Sequence, residues 1–325
     1  MYTKLADETL KSGERMEVGV VLAPDEAYAE QIKPFLAHKQ MPYKWHIEKS
    51  IHEPLENLET RYYIGKVNGH IICNIMTVES HRTGILGHVY TLPDHRRKGA
   101  CDAVMQHQME DFRQRGGGLL FLGTGFERPP YWIYHRHGFR SVYPGTGHMR
   151  YASEEGFEAA YFAPGASAVT EVRWSHWPHV NALCSTSGPE TVRGLAWGIT
   201  GQASFEGGFL NFMRAIESDD RSQARLLESE RGAVVGFASV APDGRWRGEV
   251  CILDCFAHAG YSSEMGRLLS ALPLPSGKIQ AYADENSTAK IAALRAAGFE
   301  QEARLEKQIA WQGPKMDVIV MRKFI

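Results

Sequence analysis

The chain carries one ordered pattern twice, and this repeat constrains its fold more than any other feature. The segment GAVVGFASV (232–240) lies over GHIICNIMT (69–77) at an offset of 163 residues. RAAGFEQEARL (295–305) lies over HRHGFRSVYPG (135–145) at an offset of 160, with Gly298 on Gly138. Two matches at nearly one offset, each closing the same kind of element, argue for tandem copies of one domain. A length of 325 residues fits about two domains. Small residues and a proline in FAPGASAVT (162–170) put the boundary there, giving domains 1–162 and 163–325.

The first copy alternates strands and helices. EVGVVLAP (17–24) reads as a strand, and 25–39 as a helix with Asp25 as its N-cap. Residues 61–78 are two β runs joined at Asn68-Gly69, a strong hairpin signal. A strand over 84–92 leads to a helix over 100–115, ended by Gly116, and then to a short buried strand over 119–125. PPYWIYHRHG (129–138) is a short helix opened by proline and closed by Gly138, after which β structure resumes.

Between that fourth strand and its helix stands PDHRRKGACDAVMQHQ (93–108). First-turn amides of a helix have no intrahelical partner, and the helix dipole adds positive potential, so such a turn can hold phosphates. Gly99 lets backbone approach a pyrophosphate, Ala100 and Cys101 are small, and Arg96, Arg97 and Lys98 add charge at the rim. Cations at a helix N-terminus oppose its dipole, and a bound anion gives that opposition a reason. With no Gly-Lys-Ser/Thr the turn is not a P-loop. The formal charge is −2, from 36 basic and 38 acidic side chains, so no global field draws the chain to nucleic acid or a membrane. Five cysteines without paired CxxC spacing suggest neither disulfide frame nor metal site, with Cys251 and Cys255 as buried strand filler. No signal-like N-terminus and no apolar run of membrane-spanning length are present, which makes a cytoplasmic location the expectation.

Residues 84–142 resemble the core of the GCN5-related N-acetyltransferase (GNAT) superfamily. Its acyl-CoA signature, Gln/Arg-x-x-Gly-x-Gly/Ala after a strand, is occupied by Arg96, Arg97, Lys98, Gly99, Ala100 and Cys101, the cysteine standing where Gly or Ala is usual. Val89, Tyr90 and Thr91 match the strand whose backbone pairs with the pantetheine arm in that family. YWIYHRHGF resembles the last motif and puts Tyr134 where many members hold a tyrosine near the leaving thiolate. The resemblance implies an α/β fold of two tandem GNAT-like domains, each a mixed, mostly antiparallel sheet flanked by helices. It also implies acetyl-CoA as co-substrate, no metal, and direct acetyl transfer to a primary amine of a small molecule or peptide, in a monomer or homodimer.

Acetyl transfer needs a neutral amine, a donor for the developing oxyanion and a proton for the departing thiolate. Tyr134 suits the last role, because a phenol of pKa ~10 can protonate a thiolate of conjugate pKa ~8.5; a packed aromatic in the cluster with Tyr131 and Trp132 is the bland reading. For the base, Glu79 ranks first, ahead of His81, His88 or a water chain.

The second copy looks worn. In FAHAGYSSEMGRLLSAL (256–272) Gly266 survives, but Tyr261 and Glu264 replace the leading Arg/Gln and the first glycine, and a carboxylate there repels a pyrophosphate. Leu294 stands at the tyrosine position before Gly298-Phe299. The second domain is therefore expected to be non-catalytic. RWSHWPHVN (173–181) lacks metal-like spacing and is expected to pack, while FEGGFLNFM (205–213) is a candidate acceptor loop, with a mobile loop or a core contact as the safer reading. Two alternatives stay open: a non-catalytic acyl-CoA sensor, and a specialised tandem enzyme acylating a thiol-metabolite precursor, similar to mycothiol synthase, in which the second copy is expected to keep the better turn.

Overall fold

The computed structural model describes residues 1–325 and divides them into two compact units, Met1–Glu158 with Arg173–His179, and Ala159–Val172 with Val180–Ile325. In chain order the first unit builds β1 (Tyr2–Thr9), β2 (Arg15–Leu22), α1 (Glu26–Phe35), α2 (Tyr43–His52), β3 (Glu59–Val67), β4 (His70–Ser80), β5 (Thr83–Thr91), α3 (Ala100–Gln114), β6 (Leu119–Gly123), α4 (Pro129–Arg136), β7 (Arg140–Ser141) and β8 (His148–Ala152). Local chemistry explains the joints. Asp25 caps α1 by accepting from the Tyr28 amide at 3.2 Å. Asn68 and Gly69 turn the β3–β4 hairpin with φ of 51° and 82°.

The strands form one sheet in the order β1-β2-β3-β4-β5-β6-β8-β7, antiparallel except for β5 against β6. β4 is buried along its length except for His70, as a central strand covered on both faces requires. α3 lays Val104, Met105, Met109 and Phe112 into a core with Val20, Tyr63, Ile72, Leu86 and Leu120. The composition gave no warning of β1, which is half-exposed and rich in charge.

The chain continues through α5 (Phe157–Tyr161), β9 (Ser167–Thr170), α6 (Trp177–Ser185), β10 (Val192–Gly194), β11 (Ile199–Thr200), α7 (Glu206–Ser218), β12 (Gln223–Ser229), β13 (Val234–Pro242), β14 (Val250–Ala257), α8 (Met265–Ala271), β15 (Lys278–Asp284), α9 (Thr288–Ala296), β16 (Glu300–Ala310) and β17 (Lys315–Phe324). The second unit's main sheet runs β9-β12-β13-β14-β15-β17-β16, with β14 and β15 its parallel pair. From β2 to β7 the first sheet follows the same succession, with its parallel pair in the same place. The protein is thus α/β with two mixed sheets. The segment 205–213 is mostly helix α7, whose Phe209, Leu210, Phe212 and Met213 are buried, so of the readings weighed for it the core contact agrees and the loop does not. Its glycines masked a helical apolar period.

No helix is long and apolar enough to cross a membrane.

Candidate active site

β5 and β6 pair only at Thr83, Gly84 and Ile85 against Leu119, Leu120 and Phe121. Beyond Ile85 the strands part, and a β-bulge drives β5 away. Asn74 pairs with Tyr90 and Met76 with Gly87, so Ile75 alone faces both His88 and Val89. His88 sits at the bulge with φ of 50°, and the Asn74 side-chain amide donates to its carbonyl at 3.0 Å.

Beside the end of β5 lies a cleft of about 510 Å³. Val89, Tyr90 and Thr91 line it from β5, Arg96, Arg97, Gly99, Ala100 and Cys101 from the turn and first residues of α3, and Ile133 and Tyr134 from α4. Nine of the cofactor and catalytic residues expected from sequence are therefore brought to one cleft. Gly99 has φ of 93° and Arg97 of 62°, which bends the turn back on itself. A left-handed residue followed by a right-handed helical one aims successive amides into a common concavity, which suits anions. Arg96 is fixed by its Nε, which donates to the Thr91 carbonyl at 3.0 Å. The rim also holds an acid, Asp102, paired to Arg136 at 3.2 Å and His137 at 3.1 Å.

Tyr134 is buried on a helix opened by Pro129 and Pro130. Its carbonyl accepts the Phe139 amide at 3.1 Å, closing the helix through Gly138 at φ of 95°. A Cβ at Gly138 would stand 3.1 Å from the Tyr151 ring, so the Gly-Phe element fixes where Tyr134 stands.

Two expected residues lie elsewhere. Lys98 turns from the cleft and bonds Glu14 at 2.9 Å. Glu79, ranked first as base, is corrected outright: it does not line the cleft. It is 3% exposed and takes two hydrogen bonds from Arg115, at 2.7 and 3.1 Å, and one from Thr77 at 2.6 Å. Arg115 also binds Asp111 at 2.8 Å and Tyr63 at 3.0 Å, so the carboxylate closes a structural network at the β4–α3 contact. His88 also stays out of the cleft lining; burial pushes its imidazole well below its ordinary range, and its Nε2 is buried with no hydrogen-bond partner. The sequence signal for the bulge was the glycine-histidine pair at Gly87-His88, which alternation alone does not interpret.

His46, on α2, is wholly buried and held near pKa 3 by desolvation, with Trp177 edge-on at 4.9 Å and Trp174 at 6.1 Å. The cluster at 173–179 thus packs, and no group of three or more His, Cys, Asp or Glu stands ready to hold a metal.

The corresponding place in the second unit differs. β13 and β14 pair without a bulge from Gly236 against Ala257 to Pro242 against Cys251. The C-terminal ends of β14 and β15 are crossed by the chain itself. Asp284 accepts from the Thr191 and Val192 amides at 2.7 and 2.8 Å, and Asp254 from Leu195 and Ala196 at 2.8 Å each. Lys290, wholly buried on α9, donates to the Val192 and Arg193 carbonyls at 2.8 and 3.3 Å. Glu264 is followed directly by α8, which leaves Gly266 inside a helix and no glycine turn before it.

Residues 25–139 match the profile described as the Acetyltransferase (GNAT) family. That match lies within the first unit. No curated protein matches the chain. Among solved structures, the chain is similar to a GNAT-family acetyltransferase from Streptococcus pneumoniae, at 18% identity over 49% of this chain and 99% of that one, with a TM-score of 0.38. A putative acetyltransferase from Salmonella typhimurium, solved with its cofactor acetyl-CoA, matches at 16% identity over 49% and 94%, with a TM-score of 0.40. A phosphinothricin acetyltransferase from Sinorhizobium meliloti, in complex with acetyl-CoA, matches at 17% identity over 50% and 89%, with a TM-score of 0.36.

Proposed function

We propose that the N-terminal unit binds one acetyl-CoA in the cleft formed by β5, the turn before α3, and α4, and transfers its acetyl group directly to a primary amine. The observation that carries this reading is the meeting of three elements at one cleft: the bulged strand β5, a left-handed glycine turn opening α3, and a buried tyrosine on α4. The turn amides and Arg96 and Arg97 would hold the pyrophosphate. The β5 backbone at Val89, Tyr90 and Thr91 would align the pantetheine, and a freed amide at the bulge would donate to the oxyanion. Tyr134 would return a proton to the leaving thiolate. With Glu79 held by Arg115, deprotonation of the amine falls to water or to the acceptor's own equilibrium.

The second unit is read as a degenerate copy that binds no acyl-CoA. Support comes from the shared strand succession, the unbroken β13–β14 register, and the segment 190–196 seated over the strand ends. That reading disfavours the specialised tandem enzyme, which needs the second cradle.

Titration calorimetry with acetyl-CoA, followed by a CoA-release assay over pooled small amines and peptides, tests the proposal. One site per chain with release in at least one pool is expected. Two sites would overturn the reading of the second unit, and binding without release in any pool would favour an acyl-CoA sensor.

A further inference from the structure

Cys101 is the residue of the phosphate turn that the cradle does not explain. It is the second residue of α3, lines the cleft, and packs against the core where Cys73 lies. Cys73 belongs to β4 and is fully buried, and the Thr91 hydroxyl, itself part of the cleft wall, donates to its Sγ at 3.3 Å. Cys73 pairs in the sheet with Thr91, and Thr91 and Cys101 line the same cleft, so the two thiols are neighbours that act on each other. Cys101 is therefore reachable from the cleft, whereas Cys73 is buried.

We propose that Cys101 and Cys73 are an oxidisable pair, and that hydrogen peroxide entering the cleft converts them to a disulfide that closes the site to acetyl-CoA. This inference rests on the assignment of the cleft to acetyl-CoA. The Cys101 thiolate would attack a peroxide oxygen, forming a sulfenic acid and releasing water. The Cys73 sulfur would then attack the Cys101 sulfur, its proton leaving with the sulfenic oxygen as a second water. In sum, two thiols lose two electrons and two protons, and one peroxide becomes two waters. The neighbouring Cys73 thiol holds the Cys101 thiol below its ordinary range, and the α3 N-terminus favours a thiolate there. Cys73, correspondingly, is pushed well up by Cys101 and by burial, so it keeps its proton until the second step. Drawing Cys101 toward β4 tilts the first turn of α3, whose amides form the cradle.

The test treats reduced full-length protein with stoichiometric hydrogen peroxide, then reads intact mass, a non-reducing peptide map and acetyl-CoA affinity. Expected are the loss of two hydrogens, a crosslink joining the Cys73 and Cys101 peptides, and an affinity loss of about tenfold or more that dithiothreitol reverses. Saturating acetyl-CoA should slow the crosslink. The variant Cys73→Ser should form none and should leave a Cys101 sulfenic acid that dimedone traps. A crosslink without affinity change, oxygen added to Cys101 with no crosslink, or equal reversible inactivation of Cys73→Ser would each overturn the proposal. Failure of the reduced protein to bind acetyl-CoA would instead strike the assignment of the cleft, because the crosslink is scored by mass alone.

Discussion

The Asn74 side chain donates to the His88 carbonyl at 3.0 Å across the one place where β4 and β5 lose register. This bond pins a left-handed, non-glycine residue in a bulge that splays β5 beside the cleft. Replacing Asn74 by Ala strands a buried carbonyl, at a cost of about 1–3 kcal/mol. Asn74→Ala should therefore lower the urea midpoint and reduce acetyl-CoA affinity together. A variant with weakened stability but full affinity would show that the bulge holds its shape unaided.

Gly99 is a second lever on the same cleft. Its φ of 93° strains any side-chain-bearing residue, although nothing but the Lys11 stem, at 3.9 Å, crowds a Cβ there. Gly99→Ala should cost about 1–2 kcal/mol of stability and weaken acetyl-CoA binding several-fold, as calorimetry would report.

Tyr134→Phe keeps the ring and removes the proton donor. The proposed role requires a fall in turnover on the order of 10²-fold with acetyl-CoA affinity nearly unchanged. Unchanged turnover would reduce Tyr134 to a packing residue.

Glu79→Ala should act on the fold. Removing one partner of a buried ion pair leaves Arg115 uncompensated on that side and costs about 3 kcal/mol. The pH dependence of kcat in the surviving folded enzyme should match that of the parent. A lost acidic limb would restore Glu79 to the chemistry, since a base fails on protonation.

The two units should answer acid in opposite senses. His46, near pKa 3 in the native protein against an ordinary 6.5, is protonated first in the unfolded chain. Its contribution is complete above pH 6.5 and falls as pH drops, by about 2 kcal/mol at pH 5. In the second unit burial raises Glu190 to about 6, so the native state keeps a proton that the unfolded chain has shed. That contribution is present at low pH and is lost as pH rises through 6. Urea unfolding at pH 7 and pH 5 should show His46→Leu shrinking the acid loss by about 2 kcal/mol and Glu190→Gln enlarging it by about 1 kcal/mol.

The glycine turn before α3 and the end of α4 were legible in sequence because each rests on local chemistry. A glycine at a left-handed position and a Gly-Phe helix stop are legible one residue at a time. Glu79 was misread because its position after a strand says nothing of Arg115, which lies 36 residues on and reaches it only through the β4–α3 contact. The segment 190–196 was invisible for a related reason: Asp254, Asp284 and Lys290 stand far from it in sequence, and their burial is a tertiary fact. The β structure read after Gly138 is split between β7, two residues long, and β8.

Asp254, Asp284 and Lys290 treat segment 190–196 as a receptor treats a peptide, answering its amides with carboxylates and its carbonyls with an ammonium group. A parallel pair that parts must be filled by something, and here the filler is covalently tethered, so it is present at an effective concentration no free metabolite can match. On the proposed function, one half of the molecule would be occupied by its own chain, and the other half would have its stability set by the cell's supply of a small molecule.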